Sequence, residues 1–218
     1  MAQAADLTLD ELRLALAPQV AEAAIFDGWS DAALVSASAA GGVDPAVARL
    51  AFPGGAIDMI EAWVASVDGR MESAFDAGAL AQMPIRERIR ALVWFRLEAV
   101  QGLEEALRRA LAIQAMPQNL VRTAKLGWSS ADKMWRLAGD TATDYNHYTK
   151  RAILAGLYAA TLAVFVDDDS ESKAETRAFL DRRIEDVMKF EKAKARWLSK
   201  RDGFDPVRFL GRLRYPAR

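Results

Sequence analysis

The sequence has no cysteine and a single histidine, His147. Disulfides, thiolate metal sites and a cysteine nucleophile are thereby excluded, and nothing marks a redox compartment. The histidine falls in Asp144-Tyr145-Asn146-His147, a carboxylate-x-x-histidine spacing on a helical stretch. A ferritin-like diiron centre needs two such motifs from different helices, and one histidine cannot supply both. There is no Gly-x-Ser-x-Gly elbow, no phosphate-binding loop, and no segment with the two-residue alternation of a strand. Carboxylate-only catalysis is the one enzymatic class left open. No run of about 18 apolar residues occurs, so no membrane-spanning helix is expected, although peripheral membrane contact stays open.

Positive charge is scarce at the start and abundant at the end. Residues 1–60 hold two cations, Arg13 and Arg49, against eight acids, a formal charge of −6. Residues 182–218 hold twelve cations against five acids, a formal charge of +7. What the chain has in quantity is apolar side chain: 52% of 218 residues, with charged residues at 27% and a mean hydropathy of −0.04. That is enough to bury a full core.

The apolar residues recur with helical period throughout. Thr8 and Glu11 have capping-box spacing ahead of Leu12, Leu16, Val20 and Ala24, which predicts a first helix ended by Gly28. Ser30 starts a second helix through about Ala40, Gly41-Gly42 turns the chain, and Asp44-Pro45 opens a third helix to Ala51. After Pro53-Gly54-Gly55 a longer helix is predicted over 56–76, then helices over 85–114, 117–126, 130–138, 144–166 and 172–199. Gly127, Gly139 and the acidic run 167–171 are read as turns, the last as a solvated loop with capping roles, and Ser129/Asp132 and Ser172/Glu175 as caps.

Three short helices before a set of longer ones, with Gly28-Trp29, Ser38-Ala39-Ala40-Gly41-Gly42-Val43 and Leu50-Ala51-Phe52-Pro53 at the turns, resemble the TetR pattern. The fold expected is all-α and TetR-like: a three-helix N-terminal helix-turn-helix unit followed by a larger helical ligand-binding bundle. The helix in the recognition position reads Asp44-Pro-Ala-Val-Ala-Arg-Leu-Ala51, with Arg49 its only cation. Duplex binding needs cations for phosphates and side chains that reach base edges, and neither is supplied, so no nucleic-acid partner is expected.

Gly139 to Arg151 gathers two tyrosines, an asparagine and the histidine at a helix start, followed by Ala152-Ile153-Leu154-Ala155-Gly156-Leu157-Tyr158 and later by Phe179 to Met188. From about Met116 to Phe190 these segments resemble the COQ9 family of ubiquinone-biosynthesis accessory proteins. The resemblance implies a non-catalytic protein without cofactor that binds isoprenoid lipid or phospholipid and assists the demethoxyubiquinone hydroxylase. It places the surface for that hydroxylase at Asp144, Asn146, His147, Tyr148 and Arg151. At His147 the family usually has tryptophan, so here a smaller, titratable ring replaces a large aromatic one.

The apolar residues expected to surround a lipid are Trp94, Phe95, Leu97, Met116, Leu120, Leu126, Trp128, Met134, Trp135, Leu154, Leu157, Tyr158 and Phe165. Periodicity does not separate a hollow interior from a filled one. Ile153, Leu157 and Val164 with Leu180, Ile184 and Val187 offer an apolar face for a homodimer. In the tail, Phe204, Val207, Phe209, Leu210 and Leu213 are apolar, and Arg208 and Arg212 lie on the opposite side of the helical wheel from the apolar arc. This is a basic amphipathic segment suited to an anionic lipid surface. The layout expected is a degenerate helix-turn-helix region over 1–55, a lipid-binding and dimerisation bundle over 56–200, and the tail over 203–218. A location on the cytoplasmic face of a bacterial inner membrane is expected, and a ligand-responsive TetR-type repressor is the alternative.

Overall fold

The computed structural model describes residues 7–75, 78, 80–141 and 145–202, with side chains to Phe190 except those of Tyr145 and Asn146. The described residues form α1 (Leu9–Asp27), α2 (Asp31–Gly41), α3 (Pro45–Ala51), α4 (Ala56–Ala74), α5 (Ile85–Glu98), α6 (Glu104–Gln114), α7 (Leu120–Leu137), α8 (Tyr145–Phe165) and α9 (Ala174–Asp202). Short 3-10 turns at Pro117–Asn119 and Glu171–Lys173 precede α7 and α9. There is no strand among the described residues. The all-α expectation holds.

Local chemistry sets the first boundaries as read. Thr8 and Glu11 close a reciprocal capping box, and Leu12, Leu16, Val20 and Ala24 turn inward. Ser30 and Asp44 accept from the backbone N–H groups of Ala33 and Ala46 to start α2 and α3. Gly42, at φ 64°, supplies the left-handed residue that ends α2. Trp29 locks this unit onto the rest. Its indole packs on Trp63 of α4 at 5.3 Å between ring centres, and its Nε1–H donates to the Ala106 carbonyl at 2.9 Å.

The exposed carbonyls at helix ends are met repeatedly by arginine. Arg109 donates to Phe26 O at the end of α1, Arg88 to Ala138 O at the end of α7, and Arg108 to Val166 O at the end of α8. Each donor lies more than 45 residues away in sequence, so these contacts cross-link helices as well as capping them.

Three predicted boundaries differ. The stretch 85–114 is two helices, because the chain turns at Gly102, whose φ of 84° no helix accommodates. Conversely, 117–126 and 130–138 are one helix: Gly127 sits inside α7, and Asp132 engages arginines rather than capping. At α9 the cap is not Ser172, which has a positive φ of 52°, but Asp168 and Ser170. Asp168 accepts from the N–H and hydroxyl of Thr176 at 2.7 and 2.5 Å, so it is buried and not a solvated loop charge. Burial pushes its carboxyl up, but the hydrogen bonds from Ser170 and Thr176 outweigh that and hold it well below the usual carboxylate range.

Candidate functional site

Two apolar cavities lie on different faces of α8. The first, about 300 Å³, is lined by Trp63, Val64 and Val67 of α4, Arg96 of α5, Val100 of the turn that follows it, Leu107, Leu111 and Gln114 of α6, and residues from Thr123 to Ser130 of α7. Its α8 wall is Ala155, Tyr158, Ala159 and Leu162. The second, about 320 Å³, lies beneath α9 between Ile85, Ile89, Trp135, Ile153, Leu154, Leu157, Ile184, Val187 and Met188, with Arg86, Asp140 and Lys150 at its polar edge. The two sets of α8 positions are interleaved in sequence but occupy separate faces at 3.6 residues per turn. Gly127 and the alanines leave the first cavity its room, since larger side chains there would fill it.

The expected lipid-binding residues are therefore not one wall. Tyr158 and Leu126 line the first cavity, and Trp135, Leu154 and Leu157 line the second. Leu97, Met134 and Phe165 are fully buried and line neither cavity; they are solid core. Trp94 lies on the outside under the Arg177 guanidinium, 3.6 Å from the ring centre, and Phe95 packs edge-on against Phe75 at 5.4 Å. Met116 and Leu120 are exposed at the approach to α7. Missed altogether were the walls from α4 and α6, Trp63, Val67, Leu107 and Leu111, and the buried Arg96. A lone arginine inside the apolar run Val93-Trp-Phe-Arg-Leu97 was the available signal for the last.

The expected partner surface divides as well. Tyr148 is 61% exposed and forms an aromatic cluster with His147, at 5.1 Å, and Trp128, at 6.0 Å. Trp128, expected in the lipid wall, thus belongs to this cluster. Arg151 does not face a partner: it is only 2% exposed. Its Nε–H donates to Asp132 at 2.5 Å and its Nη1 to Asp140 at 3.1 Å and to the His147 carbonyl at 3.0 Å. Lys150 reaches the other oxygen of Asp140 at 2.6 Å. The pair of carboxylates pulls Arg151 inward and fixes the first turns of α8 against α7, which positions the His147–Tyr148 step above Trp128. Asp144, the side chain of Asn146, and the tail residues Phe204, Val207, Arg208, Phe209, Leu210, Arg212 and Leu213 lie outside the described residues.

The apolar residues expected at a dimer face are largely used within the chain. Leu157, Leu180 and Ile184 are buried, and Ile153 and Val187 line the second cavity. Beyond Arg151 in the chain, what α8 leaves exposed is small: Ala152, Gly156, Ala159, Ala160 and Ala163. On α3, Arg49 is held in a two-pronged pair by Asp31, both hydrogen bonds at 2.7 Å, while Val47 and Leu50 face outward. Among the described residues no cluster of three or more histidine and acidic side chains is arranged to hold a metal ion, and no single helix is long and apolar enough to cross a membrane.

The helix order is that of a TetR-like fold. The crystal structure of a TetR transcriptional regulator from Nitrosomonas europaea superposes with a TM-score of 0.64 at 20% identity, covering 80% of this chain and 96% of that one. Residues 120–191, which carry the aromatic cluster, Arg151 and parts of both cavity walls, match the COQ9 family, and the similarity to COQ9 proteins extends well beyond them. The mitochondrial ubiquinone biosynthesis protein COQ9 of Rattus norvegicus is 33% identical over 168 residues, 74% of this chain and 54% of that protein. COQ9 of Homo sapiens is 31% identical over the same share of this chain and 52% of its own, and that of Schizosaccharomyces pombe 26% identical over 72% and 62%. The chain spans about half the length of the mammalian relatives it matches. The resemblance read from the sequence stands.

Proposed function

We propose that this chain is a non-catalytic accessory protein of ubiquinone biosynthesis that shelters an isoprenoid lipid, quinone intermediate or phospholipid and hands it to a membrane-associated hydroxylase. The observation that carries this reading is the pair of apolar cavities beside α8, both lined in part by the COQ9-like segment, next to an exposed aromatic cluster. A cavity of some 300 Å³ with few polar groups suits an apolar ligand. Trp128, His147 and Tyr148 offer the partner an aromatic anchor of the kind enriched at protein interfaces. The exposed small-residue face of α8 supports a homodimer in which two helices approach closely, and the basic tail supports contact with an anionic membrane surface.

Native mass spectrometry of the purified chain is expected to find co-purified isoprenoid or phospholipid; a ligand-free spectrum would remove the lipid role. Tyr148→Ala is expected to weaken capture of the demethoxyubiquinone hydroxylase in a pull-down while leaving the melting temperature unchanged. Unaltered capture takes this surface out of the proposal. A ligand-responsive repressor is the less supported alternative, because the one cation of α3 is already engaged by Asp31.

A further inference from the structure

The first cavity has an apolar wall and one charged group at its floor. Arg96 is 2% exposed and lines the cavity, yet its Nε–H has no acceptor in the protein. The guanidinium is placed by an ion pair from Nη1 to Asp68, a hydrogen bond from Nη2 to Ser130 Oγ at 3.2 Å, and the Tyr158 ring 4.8 Å from the guanidinium carbon. Ser130 in turn donates to Asp68 at 3.1 Å. A guanidinium held beside Asp68, Ser130 and Tyr158 with its Nε–H unmet is costly to bury, and an oxygen entering the cavity would recover part of that cost.

We infer that Arg96 is the polar anchor of this cavity and receives a neutral oxygen acceptor, a ring carbonyl or phenol oxygen of a prenylated quinone or its precursor, with the ring seated innermost. This rests on the lipid-handling role proposed above and specifies the ligand's head group. Charge selects a neutral head. Arg96 faces Asp68, and Lys133, 4.0 Å from Asp68, is answered by Glu72 at 3.3 Å, so the local cations and carboxylates already balance. A fatty-acid carboxylate would enter beside Asp68 without a cation of its own. Size agrees. About 300 Å³ is the lower end of small-molecule pockets, room for one substituted ring and the start of its chain rather than a two-tailed phospholipid. The exit is apolar too: Ala124 is the exposed α7 member of the wall, and beside it the prenyl chain leaves.

The test compares three probes by calorimetry on the intact chain: a benzoquinone bearing one prenyl group, the same carbon skeleton with methyl groups in place of the ring oxygens, and oleate. The quinone is expected to bind about tenfold or more tighter than the oxygen-free analogue, the scale of one hydrogen bond to a charged donor, and oleate to bind more weakly than the quinone. In the double variant Asp68→Asn/Arg96→Met, which removes both charges of the buried pair together, the preference for the quinone is expected to disappear while the affinity for the oxygen-free analogue is kept. Equal binding of all three probes leaves lipid handling standing and overturns Arg96 as anchor, as does a preference that survives in the double variant, in which case water alone answers Nε. Oleate binding tightest overturns the neutral head. If none of the three binds, the cavity reading and the lipid role fall together. The comparison among probes on the unmodified chain holds whether or not the variant folds.

Discussion

The first three helices and the α7–α8 pair are each tied by an arginine held between helices, and the two ties are opposites. Arg49 and Asp31 meet on the surface, half-exposed on both sides. Arg151 is withdrawn from water between Asp132 and Asp140, and Arg96 is withdrawn the same way against Asp68. In the N-terminal unit the core is mainly alanine and leucine packing, and its charged groups are superficial. In the bundle some charged groups, Asp68, Arg96 and Arg151, are inside, where an unmet hydrogen bond has consequences. Geometry at the α8 start is therefore set by buried charge, and under the proposed role the same holds for ligand choice at its flank; among the described residues the first three helices have no ion pair buried in this way.

The largest effect is expected where that burial is deepest. Arg151→Met leaves Asp132 and Asp140 facing the interior with less than their full complement of partners, and breaking a buried pair on one side costs about 3–5 kcal/mol. A large drop in thermal midpoint should accompany loss of hydroxylase capture, because the His147–Tyr148 step is positioned through the same side chain. A midpoint like that of the parent would mean that Arg151 is no more structural than Arg49, and the contrast between the two regions would break.

Asp168 gives a second, smaller reading of the bundle. Asp168→Asn keeps the shape but removes the charge that caps α9, a loss of about 0.5–2 kcal/mol by the scale of helix caps. Because folding lowers its pKa from 3.8, the carboxylate contributes its full share above about pH 5, and that share drains as pH falls through 4. The difference in stability between parent and variant, followed by urea unfolding, is expected to shrink between pH 5 and 3. A difference independent of pH would assign the effect to shape alone.

How legible this was depended on how local the cause is. The caps at Thr8, Ser30 and Asp44 act within three residues, and the sequence shows them. The turn at Gly102 was hidden because the apolar period runs through it, and Gly127 misled in the other direction, since glycine is tolerated in a helix whose neighbours hold it. The site was legible in its elements and not in its directions. His147, Tyr148 and Trp128 are together, but Arg151 was read as surface because a charged residue one helical turn beyond His147 shares its side of the wheel. The carboxylates that draw it inward are 19 and 11 residues away. Likewise one expected lipid wall proved to be two cavities with solid core between them, a distinction of packing that periodicity does not carry.

The smallest effect is expected at the surface tie, and it bears on the N-terminal unit's role. Arg49→Ala should leave stability nearly unchanged, as expected of an exposed ion pair, measured by urea unfolding. The informative variant is Asp31→Ala, which frees the guanidinium. If the unit had kept a latent grip on DNA restrained only by this pair, duplex binding would emerge. With one cation on α3 and Arg13 the only other across residues 1–60, the phosphate contacts remain too few: each contributes about −0.9 to the slope of log affinity against log salt. Asp31→Ala is accordingly expected to bind duplex no better than the parent in a titration at low salt. Binding that appears and falls with a slope of several units would show that the first three helices hold more than a packing role, and that charge pairing, not charge scarcity, keeps them from DNA.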